Sequence, residues 1–227
     1  MNDGIAELTE IALNRKGAKN AGRIRCAPNL IPAPGQYLLA QMERETDAPL
    51  AVPIFSAGLC AGGFTPAHSL PPNWQPGAQL TIRGPFGKGF KLPPTARFVA
   101  LAAFGQNATR LLGLMENALA QNSAIVLLTN APPDDLSAAV EISPLSSLPD
   151  ITRWADYIAI DAPRSLLSPL TASLARSGYH NDGQILVETS IPCGGLGECA
   201  VCAVHLRKGF KLACKDGPVF DIHLLLE

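Results

Sequence analysis

Four cysteines near the C-terminal end, Cys193, Cys199, Cys202 and Cys214, stand in the run CGGLGECAVCAVHLRKGFKLAC with spacing C-x5-C-x2-C-x11-C. Gly194, Gly195 and Gly197 lie between the first two, where a chain that curls around inorganic sulfide needs positive φ and close backbone approach. Amides freed in such a loop can point at sulfur and lower the cost of negative charge there. After Cys202, residues 203–206 alternate, Arg207-Lys208-Gly209 makes a turn, and residues 210–213 return, so a hairpin carries Cys214 back to the other three. The pattern reads as a cradle for a [2Fe-2S] cluster. Two other readings stand beside it. A structural zinc site also takes four thiolates, although it usually draws them from two C-x2-C knuckles and one is present here. Disulfides or free thiols are the third; they suit an oxidising compartment, whereas the opening MNDGIAELTE has neither the basic start nor the apolar run of a secretory leader, which predicts a cytoplasmic protein. Cys26 and Cys60 are isolated and are expected to be small buried apolar residues.

Elements must exist to position that cradle. At 227 residues, 47% of them hydrophobic, the chain can bury a core, as two compact units or as one domain with an appendage. The longest apolar runs fall short of a membrane span, and a net charge of -1 with 16% charged residues offers no basic stripe for nucleic acid. Twenty prolines and twenty glycines imply many turns and short strands. Up to about residue 95 the chain reads as β-structure, with strands expected at 21–26, 37–41 and 79–83, and hence a small antiparallel barrel. From Arg97 the texture changes. Residues 98–104 (FVALAAF) suit a buried parallel strand, a helix follows over 108–120 with Leu111, Leu112 and Met115 on one face, and strands at 124–129, 157–161 and 184–188 alternate with a helix at 165–176. That alternation implies a doubly wound, nucleotide-binding-like α/β domain, to which a cluster module from about 189 is appended.

The order of barrel, doubly wound domain and C-terminal cluster module, with the tail LACKDGPVFD (residues 212–221) and the mid-chain GPFGKGF (residues 84–90), resembles the electron-transfer subunit of dihydroorotate dehydrogenase, a ferredoxin-NADP reductase-like family. The resemblance spans nearly the whole chain. It implies a fold of a FAD-binding-type β-barrel (1–95), an NAD-binding-like α/β domain (96–188) and a [2Fe-2S] module (189–227). It further implies a cluster that relays electrons to a separate FMN-containing catalytic subunit in a hetero-oligomer. The small subunit of NADH-dependent ferredoxin:NADP oxidoreductase is a related alternative. That family has an aspartate among its cluster ligands, whereas Cys193 here completes four cysteines. A stand-alone NAD(P)H flavin reductase and a non-enzymatic zinc module are the further alternatives.

Carried over residue by residue, the resemblance assigns flavin contacts to Pro53, Ile54, Phe55 and Ser56, and to Gly63 and Thr65 in GGFT. The family's arginine in the first of these stretches is missing, since the chain reads Val52-Pro53-Ile54-Phe55-Ser56. Loss of a charge-assisted phosphate contact predicts weak FAD binding. The loop Phe104-Gly105-Gln106-Asn107-Ala108 keeps a single glycine, and Asp161-Ala162-Pro163 stands where the family has Cys-Gly-Pro. Both nicotinamide signatures are thus eroded, and the domain is read either as a nucleotide site or as a retained scaffold, with slow or no reduction by NADH. The four histidines, His68, His180, His205 and His223, show no metal spacing. Asp216 and Asp221 are expected to fix turns. No acid-base pair or nucleophile is recognisable, so substrate chemistry is expected to belong to a partner. Ile191, Pro192, Leu196, Val219 and Phe220 are expected either to form an apolar docking patch or to pack the module.

Overall fold

A computed structural model describes residues 2–13, 19–42, 50–105 and 108–225, with the side chains of residues 10–13 and 19–21 left aside. Six strands, β1 (Asn2–Leu13), β2 (Lys19–Arg25), β3 (Tyr37–Met42), β4 (Val52–Cys60), β5 (Gly63–Pro66) and β6 (Gln79–Phe86), close into an antiparallel barrel in the order β1-β2-β5-β4-β3-β6. Alternate side chains fill its interior: Leu8, Ile24, Leu38, Ile54, Phe64, Leu80 and Ile82, plugged by Trp74. Strand β3 departs from simple alternation because both of its faces are covered. Leu38 and Ala40 point into the barrel, and Tyr37 and Leu39 point outward into the core shared with the rest of the molecule.

The second half is a six-stranded sheet in the order β14-β11-β10-β7-β8-β9, built from β7 (Phe98–Ala103), β8 (Ala124–Thr129), β9 (Val140–Ser143), β10 (Tyr157–Pro163), β11 (Asp182–Glu188) and β14 (Val219–Asp221). All pairings are parallel except that of β14, which lies antiparallel on the β11 edge. Helix α1 (Thr109–Ala120) covers one face, with Leu111, Leu114, Met115 and Ala118 against Val99, Leu101, Ile125 and Leu127. Helices α2 (Leu148–Trp154) and α3 (Leu167–Arg176) cover the other, over Ala100, Ala102, Val126, Ile158 and Ile160. The apolar runs at 98–103 and 124–129 are continuous because each strand is buried on both sides.

The cysteine-bearing C-terminal module packs into the core of the other two parts. Its hairpin, β12 (Ala203–Leu206) and β13 (Gly209–Leu212), turns through Arg207-Lys208 as the alternation predicts. Val204, Leu206, Ala213, Val219, Phe220, Ile222 and Leu225 then join the same core as the second face of the sheet and the outer side of β3. The GPFGKGF stretch forms the seam. A side chain at Gly87 would strike Gly217 and Pro218, and one at Gly35 would strike Phe90 and Val219. Among the described residues no helix is long and apolar enough to cross a membrane.

Candidate functional site: a cysteine cradle beside an interdomain crevice

The loop from Cys193 to Cys199 curls as its glycines require, with φ of 62° at Gly194, 77° at Gly195 and 78° at Gly197. The curl turns the amides of Gly197, Glu198 and Cys199 onto the Cys193 sulfur. Burial alone would raise that thiol, but those amides and the Cys199 thiol more than offset it and bring it down to about 6. On the inner side, burial, then the neighbouring Cys202 and Cys193 sulfurs, push Cys214 up to about 12. The hairpin makes this approach possible, since the Ala213 amide donates to the Cys202 carbonyl at 3.0 Å. The carboxylate of Asp216 accepts from the Leu212 amide at 3.0 Å and fixes the turn, and Asp221 accepts from the His223 amide at 2.8 Å, as expected for both.

The four thiols therefore meet in a row, Cys199 to Cys193, Cys193 to Cys214 and Cys214 to Cys202, whose outer half is Cys199 with Cys193 and whose inner half is Cys214 with Cys202. Among the described residues no three His, Cys, Asp or Glu side chains gather as the ligands of one metal ion. Two thiolates on each of two irons is the ligand demand of a [2Fe-2S] cluster, and four on one point is that of zinc. Paired thiols with amides aimed at sulfur fit the cluster. The cradle is also polarised: Cys199 is exposed and Cys193 half-buried, whereas Cys202 and Cys214 are buried.

Around the outer pair, Leu196 is 62% exposed and Val201 44%. Phe210, at the hairpin tip, is 72% exposed. Of the five residues expected either to dock or to pack, Ile191, Val219 and Phe220 are buried, Pro192 is half-buried and Leu196 is exposed. The buried three pack the module because β14 carries Val219 and Phe220 onto the sheet edge. Cys26 and Cys60 are not buried as expected. Both are half-exposed; burial and then the charge of Cys60 raise the Cys26 thiol, beside the turn where the Cys26 amide donates to the Gly62 carbonyl at 3.2 Å.

A crevice of about 330 Å³ opens between the barrel and the C-terminal ends of the parallel strands, lined by Pro53, Phe55, Ala67, His68, Arg110, Glu188 and Thr189. Binding crevices of doubly wound sheets lie at such strand ends. Arg110, from the first turn of α1, reaches Asp161 at 2.8 Å through Nε and Glu188 at 2.9 Å through Nη2, with its Cζ 5.7 Å from the Phe55 ring centroid. Burial opposes the Arg110 charge, but the two carboxylates outweigh it and raise its pKa. Burial pushes Asp161 up against the pull of Arg110. His68, hydrogen bonded to the Pro53 carbonyl at 3.0 Å, is lowered by burial and by Arg110. The buried oxygens Asp161 Oδ1 and Thr189 Oγ1 have no hydrogen-bond partner among the described residues.

The residues assigned to flavin divide by the pleat of β4. Pro53 and Phe55 face outward into the crevice. Ile54 does not reach it: it lies fully buried inside the barrel, because alternation sends every second side chain inward. Ser56 is buried and bonds locally to Gly58. Gly63 is a packing glycine, since a Cβ there would run into the Ile24 carbonyl. Thr65 pairs across from Gly58, over which lies the carboxylate of Glu116. A second cavity of about 220 Å³ beside Ser56 and Gly58 has Glu116 as the one acidic residue in its lining. The crevice at Phe55 fits a flat ring with polar edges, while the neighbouring cavity presents an acid where a phosphate would want a cation.

Of the nicotinamide loop, Gln106 and Asn107 lie outside the described residues. Asp161 is tied to Arg110 rather than open to a ligand. The sequence singles out neither Tyr37 nor Arg110, and it offers His68 only as a histidine without metal spacing; the strand expected at 37–41 holds Tyr37 but gives no sign of its partner.

Residues 188–226 match the family model of the iron-sulfur cluster binding domain of dihydroorotate dehydrogenase B. The chain is 26% identical to a probable dihydroorotate dehydrogenase B (NAD(+)), electron transfer subunit, of Thermococcus kodakarensis, across 90% of this chain and 91% of that one. Among solved structures it is similar to an NADH-dependent reduced ferredoxin-NADP oxidoreductase described for flavin-based electron bifurcation, with a TM-score of 0.72 at 15% identity, covering 97% of this chain and 89% of that one. It is also similar to ferredoxin-NADP+ reductase from Plasmodium falciparum, with a TM-score of 0.59 at 10% identity, covering 82% and 97%. Barrel, doubly wound sheet and cysteine cradle together define a ferredoxin reductase-like fold with a C-terminal segment that matches an iron-sulfur binding domain. Within that class, residues 188–226 match the iron-sulfur domain of dihydroorotate dehydrogenase B, and the chain as a whole is similar to an electron transfer subunit of that enzyme.

Proposed function

We propose that the chain passes single electrons between a flavin and an FMN-containing catalytic subunit of the dihydroorotate dehydrogenase type, in a cytoplasmic hetero-oligomer. The observation that carries this reading is the pairing of four thiols with three amides on the Cys193 sulfur. A [2Fe-2S] cluster bound there supplies one-electron chemistry. The chain's own residues then hold the thiolates, exclude water from Cys202 and Cys214, and leave the Cys199 side at the surface. FAD, if it occupies the crevice, would supply the exchange between one- and two-electron steps. Phe55 and Pro53 would flank its ring, with Arg110 and His68 opposite. Functionally we divide the chain into a barrel (1–95), an α/β scaffold (96–188) and a cluster module (189–227). Free thiolates at the cradle suit a reducing compartment.

Docking at the cluster belongs to Leu196 and Val201, which stand exposed beside Cys199. The test is co-expression with a catalytic subunit of that type followed by co-purification. The two should elute together, and Leu196→Asp should weaken the complex at least tenfold with the cluster spectrum intact. Separate elution of the unsubstituted pair contradicts the partner assignment.

A further inference from the structure

Tyr37 is fully buried and joins four parts of the molecule that sequence separates widely. Its hydroxyl donates to the carbonyl of Cys214, 177 residues away, at 3.0 Å. Its ring lies 5.6 Å from that of Phe86 in GPFGKGF and 5.6 Å from that of Phe55 at the crevice. The hydroxyl also passes beneath the outer loop, where a Cβ built on Gly195 would stand 3.2 Å from it. The backbone at Cys214 lies between β13 and β14, beyond any strand ladder, and the neighbouring amides of Lys215, Asp216 and Gly217 all turn to the Leu212 carbonyl. The bond from Tyr37 ties the Cys214 carbonyl to the barrel, three residues before Gly217, whose carbonyl accepts from the Lys88 amide.

We propose that Tyr37 is a positioning residue for the cluster. It fixes the Cys202–Cys214 half of the cradle against the barrel and sets the dry, ring-filled gap between that half and the crevice at Phe55. The inference rests on the reading of the cradle as a two-iron site. Strand β3 offers its outward face at this point, and an aromatic with a hydroxyl at its tip can both stack and reach a carbonyl, whereas phenylalanine can only stack.

The test compares the intact chain with Tyr37→Phe and Tyr37→Leu, and with Tyr157→Phe as a control. Tyr157 is also a buried tyrosine, bonded at 2.9 Å to Gln184, but it packs on the α1 side of the sheet away from the cradle. Tyr37→Phe should retain two irons, shift the EPR g-values and midpoint potential, and lose iron to a chelator about tenfold faster, the effect of one lost buried hydrogen bond. Tyr37→Leu should lose iron faster still, and Tyr157→Phe should match the intact chain. The inference is overturned if Tyr37→Phe equals the intact chain in all three readouts, or if Tyr157→Phe changes them equally. An intact chain with no two-iron signal overturns the reading beneath it as well.

Discussion

The cradle and the crevice sit on opposite sides of one tyrosine and differ in what is missing from them. In the cradle every polar device points at sulfur: glycines open the loop, three amides converge on Cys193, and the hairpin returns Cys214 to Cys202. In the crevice the chain's charges answer one another. Arg110 is held by Asp161 and Glu188, and in the neighbouring cavity the Glu116 carboxylate lies over Gly58, across from Thr65. A ligand site is recognised by groups left in want of a partner. The cradle wants metal through four thiols, and among the described residues lining the crevice the buried oxygen left without a partner is Thr189 Oγ1.

The sharpest break in this comparison is substitution of the ligands themselves. Cys214→Ser or Cys202→Ser should abolish the two-iron EPR signal, because each is buried and a replacement ligand cannot enter. Cys199→Ser, at the exposed edge, should distort or weaken the signal and leave more iron bound than the inner variants. Equal loss from all three would remove the inner-outer distinction. Next in size is Arg110→Ala. It leaves the Asp161 carboxylate buried without its cation and should cost about 3–5 kcal/mol, read as a lower midpoint in urea. Restoring stability with Asp161→Asn in the same chain would identify the unpaired charge as the cause.

A smaller effect is expected at the flavin end. Pro53→Arg puts a cation on the outward face of β4, and Glu116→Gln removes the acid over Gly58. Each should tighten FAD retention about tenfold in equilibrium dialysis, about 1.4 kcal/mol. No change in either would mean that the phosphates do not lie along β4. The least effect concerns His68. Its folded pKa lies below the ordinary value, so the unfolded chain takes the proton first. Stability is therefore full above about pH 6.5 and falls as pH drops below it toward the lower folded value. Thermal midpoints between about pH 7.5 and 5.5 should fall less in His68→Gln than in the parent.

The cradle was legible in sequence because its ligands and turns are local, all within residues 193–214. The strands of the α/β sheet were legible for a similar reason: residues 98–103 and 124–129 are unbroken apolar runs. Strands β1, β4, β5, β9 and β14 were not: β9 carries the exposed Glu141 and half-exposed Ser143, β5 and β14 span only four and three residues, and Pro53 and Gly58 interrupt the strand signal of β4. The crevice was least legible. Arg110, Asp161 and Glu188 lie on three elements, and no short spacing brings them together. Ile54 shows the same limit in reverse, because a motif carried over by resemblance does not say which residue faces inward. Tyr37 was hidden because its significance lies at Cys214, far along the chain.

The most direct test is the metal and sulfide content of anaerobically purified protein, measured with its EPR spectrum after reduction. The account predicts a red-brown protein with about two irons and two acid-labile sulfides per chain and a rhombic signal. A colourless protein holding one zinc and no sulfide would contradict it.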